Sequence, residues 1–383
     1  MVLSMPRILG YDLSGDEQDD LYNVTVLQHI KKQEHFEQVG YLTMTDNERI
    51  VEALTESGVK VHHLQPEHRP QGRVNLWRRT LFLLGMFLLA GREGYRKVHL
   101  FHLDSNVFSL LLLLPFAWRI HVTGTLHGYP EQWLKRMALL LLLKLGIVNK
   151  VVVHGNYTHQ KMLMDGLDES KVANIHIPYF KRHSLESSGQ LEKIRRELSG
   201  RRHPLFLCLG TLNYEKGIDV LLESLTVLRD YEFTVIVAGP EGDYTQADLD
   251  RMAEHYGVRD KLYLDIRHIP ERVKQYYFEQ CHAVVLPHRR MYTGLSSPLA
   301  EAAAHRKFIV GPRYGEMGYT IDTYLLGATF KAENPEDLAD KMKLLLHRMK
   351  EAGKPPAASH MSIFAQMLRN EKLFGERYGR FLA

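Results

Sequence analysis

Apolar residues along this chain gather in short runs, and between the runs they recur at helical spacing. The first run, 6–13, has strand length and gives way to a polar, acidic loop over 14–20. Leu21, Val24, Leu27 and Ile30 then share one helical face. Runs at 37–44, 59–64, 97–103 and 119–128 read as strands; 48–58, closed by Gly58, and Val74–Ala90 read as helices. Such alternation predicts βαβ units, hence a parallel sheet with helices on both faces.

After strand-like runs at 150–155 and 173–180 the pattern changes. Residues 181–203 are polar and charged, bear Ser and Gly, and read as a linker holding a short helix without a continuous apolar face. A second alternating series follows. Strands are expected at 204–210, 233–240, 261–266, 282–288, 308–311 and 328–330, with helices between them. A last helix of this series starts at 334, with Asn334 as N-cap and Pro335 in its first turn. The chain breaks again at 354–359, and one amphipathic helix, roughly Ser362–Ala383, is left to pack back on the first half. The expected organisation is therefore a Rossmann-like domain over 1–185, a second over 201–360, and a returning helix over 361–383. At 383 residues the chain is too long for one ordinary core, which agrees with two domains. Ligands of such sheets bind beyond the carboxyl ends of the strands.

Composition narrows the partners. The chain is 45% hydrophobic and 25% charged, with a net charge of +4 and both signs interspersed. That lacks the clustered basic face of a nucleic-acid binder, and no nucleic acid is expected. An anionic small molecule and an anionic membrane surface both fit. Cys208 and Cys281, the only cysteines, show no Cys-x-x-Cys spacing and read as buried thiols of a reducing compartment. The first residues run straight into a strand without a basic, then apolar, leader, so a cytoplasmic location is expected. Leu81–Ala90, Leu110–Trp118 and Ala138–Leu145 are strongly apolar, yet each falls short of the roughly 20 residues that span a bilayer. They are either buried core or a surface helix layer lying on a membrane; Trp77-Arg78-Arg79 and Trp133-Leu134-Lys135-Arg136 beside them suit a headgroup interface.

Two segments of the second half carry candidate chemistry. In the first, a strand ends at Gly210 and Lys216-Gly217 opens a helix. Free amides, a positive helix end and one flexible cation suit a phosphate. The order is neither that of a P-loop nor Gly-x-Gly-x-x-Gly. In the second, about 80 residues later, Gly294-Leu295-Ser296-Ser297 joins a strand to a helix with Pro298 in its first turn. The amides there point outward toward a phosphate. Glu301, one turn further, would repel a phosphate and suits a neutral polyol such as ribose; it also suits the helix dipole alone. No His-x-x-x-His or Cys/His set occurs, and no metal site is expected. His99 and His102, three apart on an expected strand, would face opposite ways.

The second half resembles the donor domain of GT-B glycosyltransferases, specifically the retaining enzymes of family 4. That family has a strand ending in Gly-Arg-Leu, then Lys-Gly, and later two glutamates separated by seven residues in a Gly-rich turn and helix. Residues 210–225 and 293–311 match in order and spacing, and the likeness covers about 150 residues well. The first half is similar more loosely, through 97–104 and 121–130. The resemblance implies two Rossmann-like domains facing a cleft. It implies a UDP- or GDP-linked sugar as donor substrate, no cofactor and no essential metal, and a glycan or glycolipid acceptor. Carried over, Lys216 contacts the diphosphate, Glu301 the ribose, and the amides of Gly294, Leu295 and Ser296 the phosphate and sugar. His127 meets the reacting sugar, and the backbone at Ile269 meets the base. Two positions depart from the family. Thr293 stands where its first glutamate stands, and Thr211 where its phosphate arginine stands, with Arg289 or Arg290 as candidate replacements. A metal-independent hexosyltransferase of polysaccharide or glycolipid assembly is the leading expectation. A non-catalytic GT-B-like subunit of an active partner is the alternative that the two threonines motivate.

Overall fold

The computed structural model describes residues 5–13, 17–45, 47–64, 75–178, 188–352, 361–368 and 370–383. Part of the acidic loop (14–16), the start of the expected helix at Val74, the end of the strand-like run (179–180), the first part of the expected linker (181–187) and the break at 354–359 lie outside the described residues. The chain forms two compact units, residues 1–177 with 371–383, and residues 178–370.

The first unit holds a parallel sheet of β1 (Arg7–Tyr11), β2 (Gln38–Thr43), β3 (Lys60–His63), β4 (Lys97–Leu100), β5 (His121–Leu126), β6 (Val148–Val153) and β7 (Val172–Asn174). Their order is β3-β2-β1-β4-β5-β6-β7. The direction of winding reverses between β1 and β4. Parallel crossovers are right-handed, so the helices Glu17–Lys32 and Glu48–Glu56 lie on one face. Leu76–Glu93, Leu103–Leu112 and Trp133–Lys144 lie on the other. The main core of the unit is formed under that second layer, by Leu83, Met86, Phe87, Val107, Leu110, Leu139, Leu142 and Leu143 against the strands.

The second unit repeats the plan with β8 (Leu205–Leu209), β9 (Thr234–Ala238), β10 (Leu262–Asp265), β11 (Ala283–Val285), β12 (Phe308–Pro312) and β13 (Gly327–Phe330). The order is β10-β9-β8-β11-β12-β13, again all parallel, with its reversal between β8 and β11. Strand residues alternate between two cores: Phe206, Val235 and Val237 enter one, and Leu205, Leu207, Leu209 and Ile236 the other. Both faces are covered, which is why β9 is buried along its whole length and apolar after Thr234.

Three expectations change. The helix Ser188–Ser199 does have an apolar face: Leu191, Ile194 and Leu198 are buried, and the last two join the second unit's core. Their spacing is helical, but charged neighbours dilute it. The second unit therefore begins at Pro178 rather than 201. The C-terminal stretch is two helices rather than one. Met361–Leu368 packs Phe364 and Leu368 into the second unit, and only Glu371–Leu382 packs on the first, against Glu17–Lys32. Gly375 and Gly379 make that approach possible, since a Cβ on either would overlap His29 or Gln33. Lastly, His102 lies past the end of β4, at the N-cap of the next helix, so the alternation argument does not apply to it.

Candidate functional site

The two loops that leave β8 and β11 flank the reversal point of the second sheet, the place where open α/β sheets take ligands. After β8, Gly210 has φ 139° and Thr211 is half-buried. A short 3-10 turn, Tyr214–Lys216, precedes the helix Ile218–Ser224. Gly217 between them has φ 67°, and a Cβ there would overlap the Pro287 carbonyl oxygen at the end of β11. A glycine is thus needed both for its backbone conformation and for the close approach of the two loops.

Lys216 is half-buried, with Nζ 4.1 Å from the centroid of the Tyr292 ring. His288, on the β11 loop, packs edge-on against the same tyrosine at 4.7 Å. Burial and, secondarily, Lys216 hold its imidazole well below the ordinary histidine value. Neither His288 ring nitrogen has a hydrogen-bond partner among the described residues, and neither has Ser296 Oγ, although both residues are buried. Buried polar atoms without partners are uncommon and costly, and ligand sites are one place they occur.

Ser296 is the N-cap of the helix Ser297–Ala304, with Pro298 in its first turn and no side-chain cap bond. Among the described residues, no acceptor takes the amides of Gly294, Leu295 or Ser296. The Thr293 carbonyl accepts from the amide of Glu316 at 3.2 Å, which ties this turn to the next helix, Gly315–Thr323. Glu301 is buried, and its Oε2 pairs with Lys274 Nζ at 2.9 Å; Lys274 also reaches Glu271 at 3.0 Å. Ile269 sits half-buried against the adjoining core, just before the helix that carries Lys274.

Arg289, one of the two candidate replacements for a phosphate arginine, is engaged by its own neighbours. Its guanidinium pairs with Asp219, lies 3.7 Å from Glu333, and stacks on Tyr214 at 4.1 Å. It clamps the Lys216 turn from behind. Arg290 is exposed, 5.9 Å from the Tyr314 ring. The β8–β11 point thus gathers Lys216, Thr211, Thr293, Gly294, Leu295 and Ser296 on its two loops, with Glu301 one turn into the helix that follows.

His127 belongs to the other unit, at the end of β5. Its Nε2 donates to the Phe101 carbonyl at 2.9 Å if that nitrogen carries the proton, and its ring stacks on His102 at 4.6 Å. His154 is 5.4 Å away, and His102 Nε2 lies 3.6 Å from the buried Asp12. Beneath them runs a hydrogen-bonded network. The Tyr22 hydroxyl bonds His154 Nε2 at 3.0 Å and Tyr378 at 2.9 Å, and His99 bonds Thr123, Thr125 and Tyr378. Burial takes His99 down to about 3 and His154 well below its ordinary value. The ends of β1, β4, β5 and β6 so bring together Asp12, His102, His127 and His154.

Sequence reasoning did not single out Asp12, His154, His288, Tyr292 or Lys274, and weighed His102 only with His99 as a metal pair. Asp12 and His288 carried a usable signal, a polar residue directly after an apolar strand. Lys274 carried none. Cys208 and Cys281 are free thiols, both pushed up to about 12 by burial. Among the described residues, no group of three or more His, Cys, Asp or Glu could hold a metal ion, and no helix is long and apolar enough to cross a membrane.

Residues 190–363 match the family model described as glycosyl transferases group 1, a region that holds both second-unit loops. A glycogen synthase of Thermus caldophilus is 26% identical over 182 residues, 46% of this chain and 40% of that protein. The match therefore spans less than half of either. Solved structures resemble the chain over nearly its whole length. A sucrose-phosphate synthase of Thermosynechococcus elongatus superposes with a TM-score of 0.72 at 13% identity, over 98% of each chain. HepE of Anabaena, solved in complex with UDP-glucose, superposes with a TM-score of 0.68 at 14% identity, also over 98% of each. At these identities the likeness establishes the fold, which is GT-B: two parallel sheets, each flanked by helices, with a C-terminal helix on the first unit.

Proposed function

We propose that the chain is a GT-B glycosyltransferase that moves a hexosyl unit from a nucleotide sugar to an acceptor hydroxyl, with retention and without an essential metal. The observation that carries this is that Lys216 lies over Tyr292, which closely precedes the unbonded amides of residues 294–296, at the reversal point of the sheet in the region that matches the family model. Lys216 and those amides would hold the diphosphate and stabilise the charge that develops on it as the glycosidic bond breaks. Glu301 would take the ribose hydroxyls, with Thr211, Thr293 and the backbone near Ile269 lining the phosphate, sugar and base. His127 would act on the reacting sugar. The rest of the rate comes from positioning. A UDP-linked donor is favoured over a GDP-linked one because HepE, of the same fold, was solved with UDP-glucose.

The acceptor we assign is a glycan or glycolipid of polysaccharide or glycolipid assembly, met in the cytoplasm at a membrane face. The two free thiols and the exposed apolar helix faces of the first unit support that setting. The test is release of nucleoside diphosphate from UDP- and GDP-sugars. Slow donor hydrolysis by the wild type, at least tenfold slower in Lys216→Ala, supports the reading. A folded protein that hydrolyses and binds no donor favours the second reading, a non-catalytic subunit. That reading draws on Thr211 and Thr293 and on Arg289 being engaged by Asp219.

A further inference from the structure

Of the large apolar side chains left exposed among the described residues, most lie in one layer of the first unit: the helices Leu76–Glu93, Leu103–Leu112, Leu114–Ala117 and Trp133–Lys144. These helices lie on one face of the sheet, and Leu103–Leu112 packs against the two long ones on either side. Each buries one stripe in the core and turns another apolar stripe outward. On Leu76–Glu93 the outer stripe runs through Trp77, Leu81 and Leu88; on Trp133–Lys144 it runs through Trp133, Met137 and Leu141. Their spacings of four and seven residues, one and two helical turns, place each set on one helical face. Phe108, Leu112, Phe116 and Trp118 fill the space between.

The chain has three tryptophans, and all three are here, exposed at 72% (Trp77), 74% (Trp118) and 65% (Trp133). A soluble surface rarely leaves so much contiguous apolar area open. The charge is one-sided. Over 76–93, 103–119 and 133–145 there are seven basic residues, Arg78, Arg79, Arg92, Arg119, Lys135, Arg136 and Lys144, against two acids, Glu93 and Asp104. Of those acids, Glu93 is already paired with Lys60 at 2.7 Å.

From this we infer that the helical layer is a docking surface for an anionic lipid bilayer, lying in the interface without crossing it. Tryptophan is the side chain whose apolar body and N–H tip suit the headgroup boundary, and lysine and arginine reach past buried apolar neighbours to anionic headgroups. A second copy of this chain is the less suitable occupant, because it would bring the same basic excess against itself. Trp77 and Trp133 stand at helix starts, the end of the layer next to the strand ends that carry His127. The inference goes beyond the donor reading and does not depend on it.

The test is co-sedimentation of the full chain with vesicles of pure phosphatidylcholine and with vesicles containing phosphatidylglycerol. The expected result is at least fivefold stronger partitioning onto the anionic vesicles, reduced by added salt, with a blue shift of tryptophan emission on binding. The double variant Leu81→Glu, Leu141→Glu places charges on exposed positions and should fold normally by circular dichroism. It should lose at least tenfold in partitioning. Absence of binding to both vesicle types overturns the inference, as does binding that the double variant leaves unchanged. A doubled hydrodynamic mass without vesicle binding overturns it too, by giving the face to a second copy. Nucleotide titration of the same preparation reports on the donor site separately, so the two readings fail independently.

Discussion

The two units share a topology and differ at its reversal point. Between β8 and β11 the loops offer glycine turns, open amides and Lys216. Between β1 and β4, and on β5 and β6 beside them, the strand ends offer Asp12, His102, His127 and His154. The first arrangement has the groups that the proposed function needs for fixed negative charge. The second is a group of proton-carrying side chains supported from below by a closed network of His99, Tyr22, Thr125 and Tyr378. One fold thus provides the same crevice twice, and the residues at the strand ends decide what each crevice is for.

The strongest way to break the contrast is at Gly217. Gly217→Ala puts a side chain at positive φ and against the Pro287 carbonyl. It should cost about 3 kcal/mol of the second unit's stability, measured by urea unfolding, and abolish nucleotide binding.

Acid should separate the units next. His99 and His154 stay neutral in the fold, whereas the unfolded chain takes up protons near the ordinary value of 6.5. Below that pH the unfolded state binds more protons, so stability falls as pH falls, over the window from about 6.5 toward about 3 for His99. Each such group contributes a slope of about 1.4 kcal/mol per pH unit. Among the described residues, the first unit has two of these fully buried histidines and the second has His288. Hydrogen exchange read by mass spectrometry should show first-unit peptides losing protection at the higher pH.

At the level of turnover, His127→Ala should lower transfer at least tenfold, about 1.4 kcal/mol in barrier, while nucleotide affinity changes little. The reverse pattern would remove His127 from the sugar. The smallest effect sharpens the contrast most finely. Ser296→Ala removes a buried hydroxyl that has no partner among the described residues. It should leave stability equal or raise it by up to about 1 kcal/mol, yet weaken nucleotide binding a few-fold. A purely structural serine would lose stability instead.

Much of the fold was legible because both sheets are built from buried apolar runs such as Leu205–Leu209 and Thr234–Ala238, separated by turn glycines. Asn334 was legible as a cap, and its Oδ1 does accept from the Asp337 amide at 2.8 Å. For the helical layer two readings stayed open, buried core or membrane surface, because a run such as Ala138–Leu145 is apolar but for Lys144 and carries no period to show which face is buried. The final helix was read as one because its amphipathic pattern continues across Asn370, and the change of unit leaves no mark in that pattern. The first unit's cluster was invisible for a topological reason. Asp12, His102, His127 and His154 are far apart in sequence, and only the strand order β1-β4-β5-β6 makes them neighbours. Lys274 is similar, since its pairing with Glu301 depends on how two helices pack.

The most direct test of the donor site is calorimetric titration of the wild type and Lys216→Ala with UDP, GDP and their common sugars. The account predicts binding of one nucleotide family that weakens at least tenfold in Lys216→Ala, with both proteins unfolding at the same urea concentration. Equal affinity in the two proteins, or no binding by a folded wild type, would contradict it.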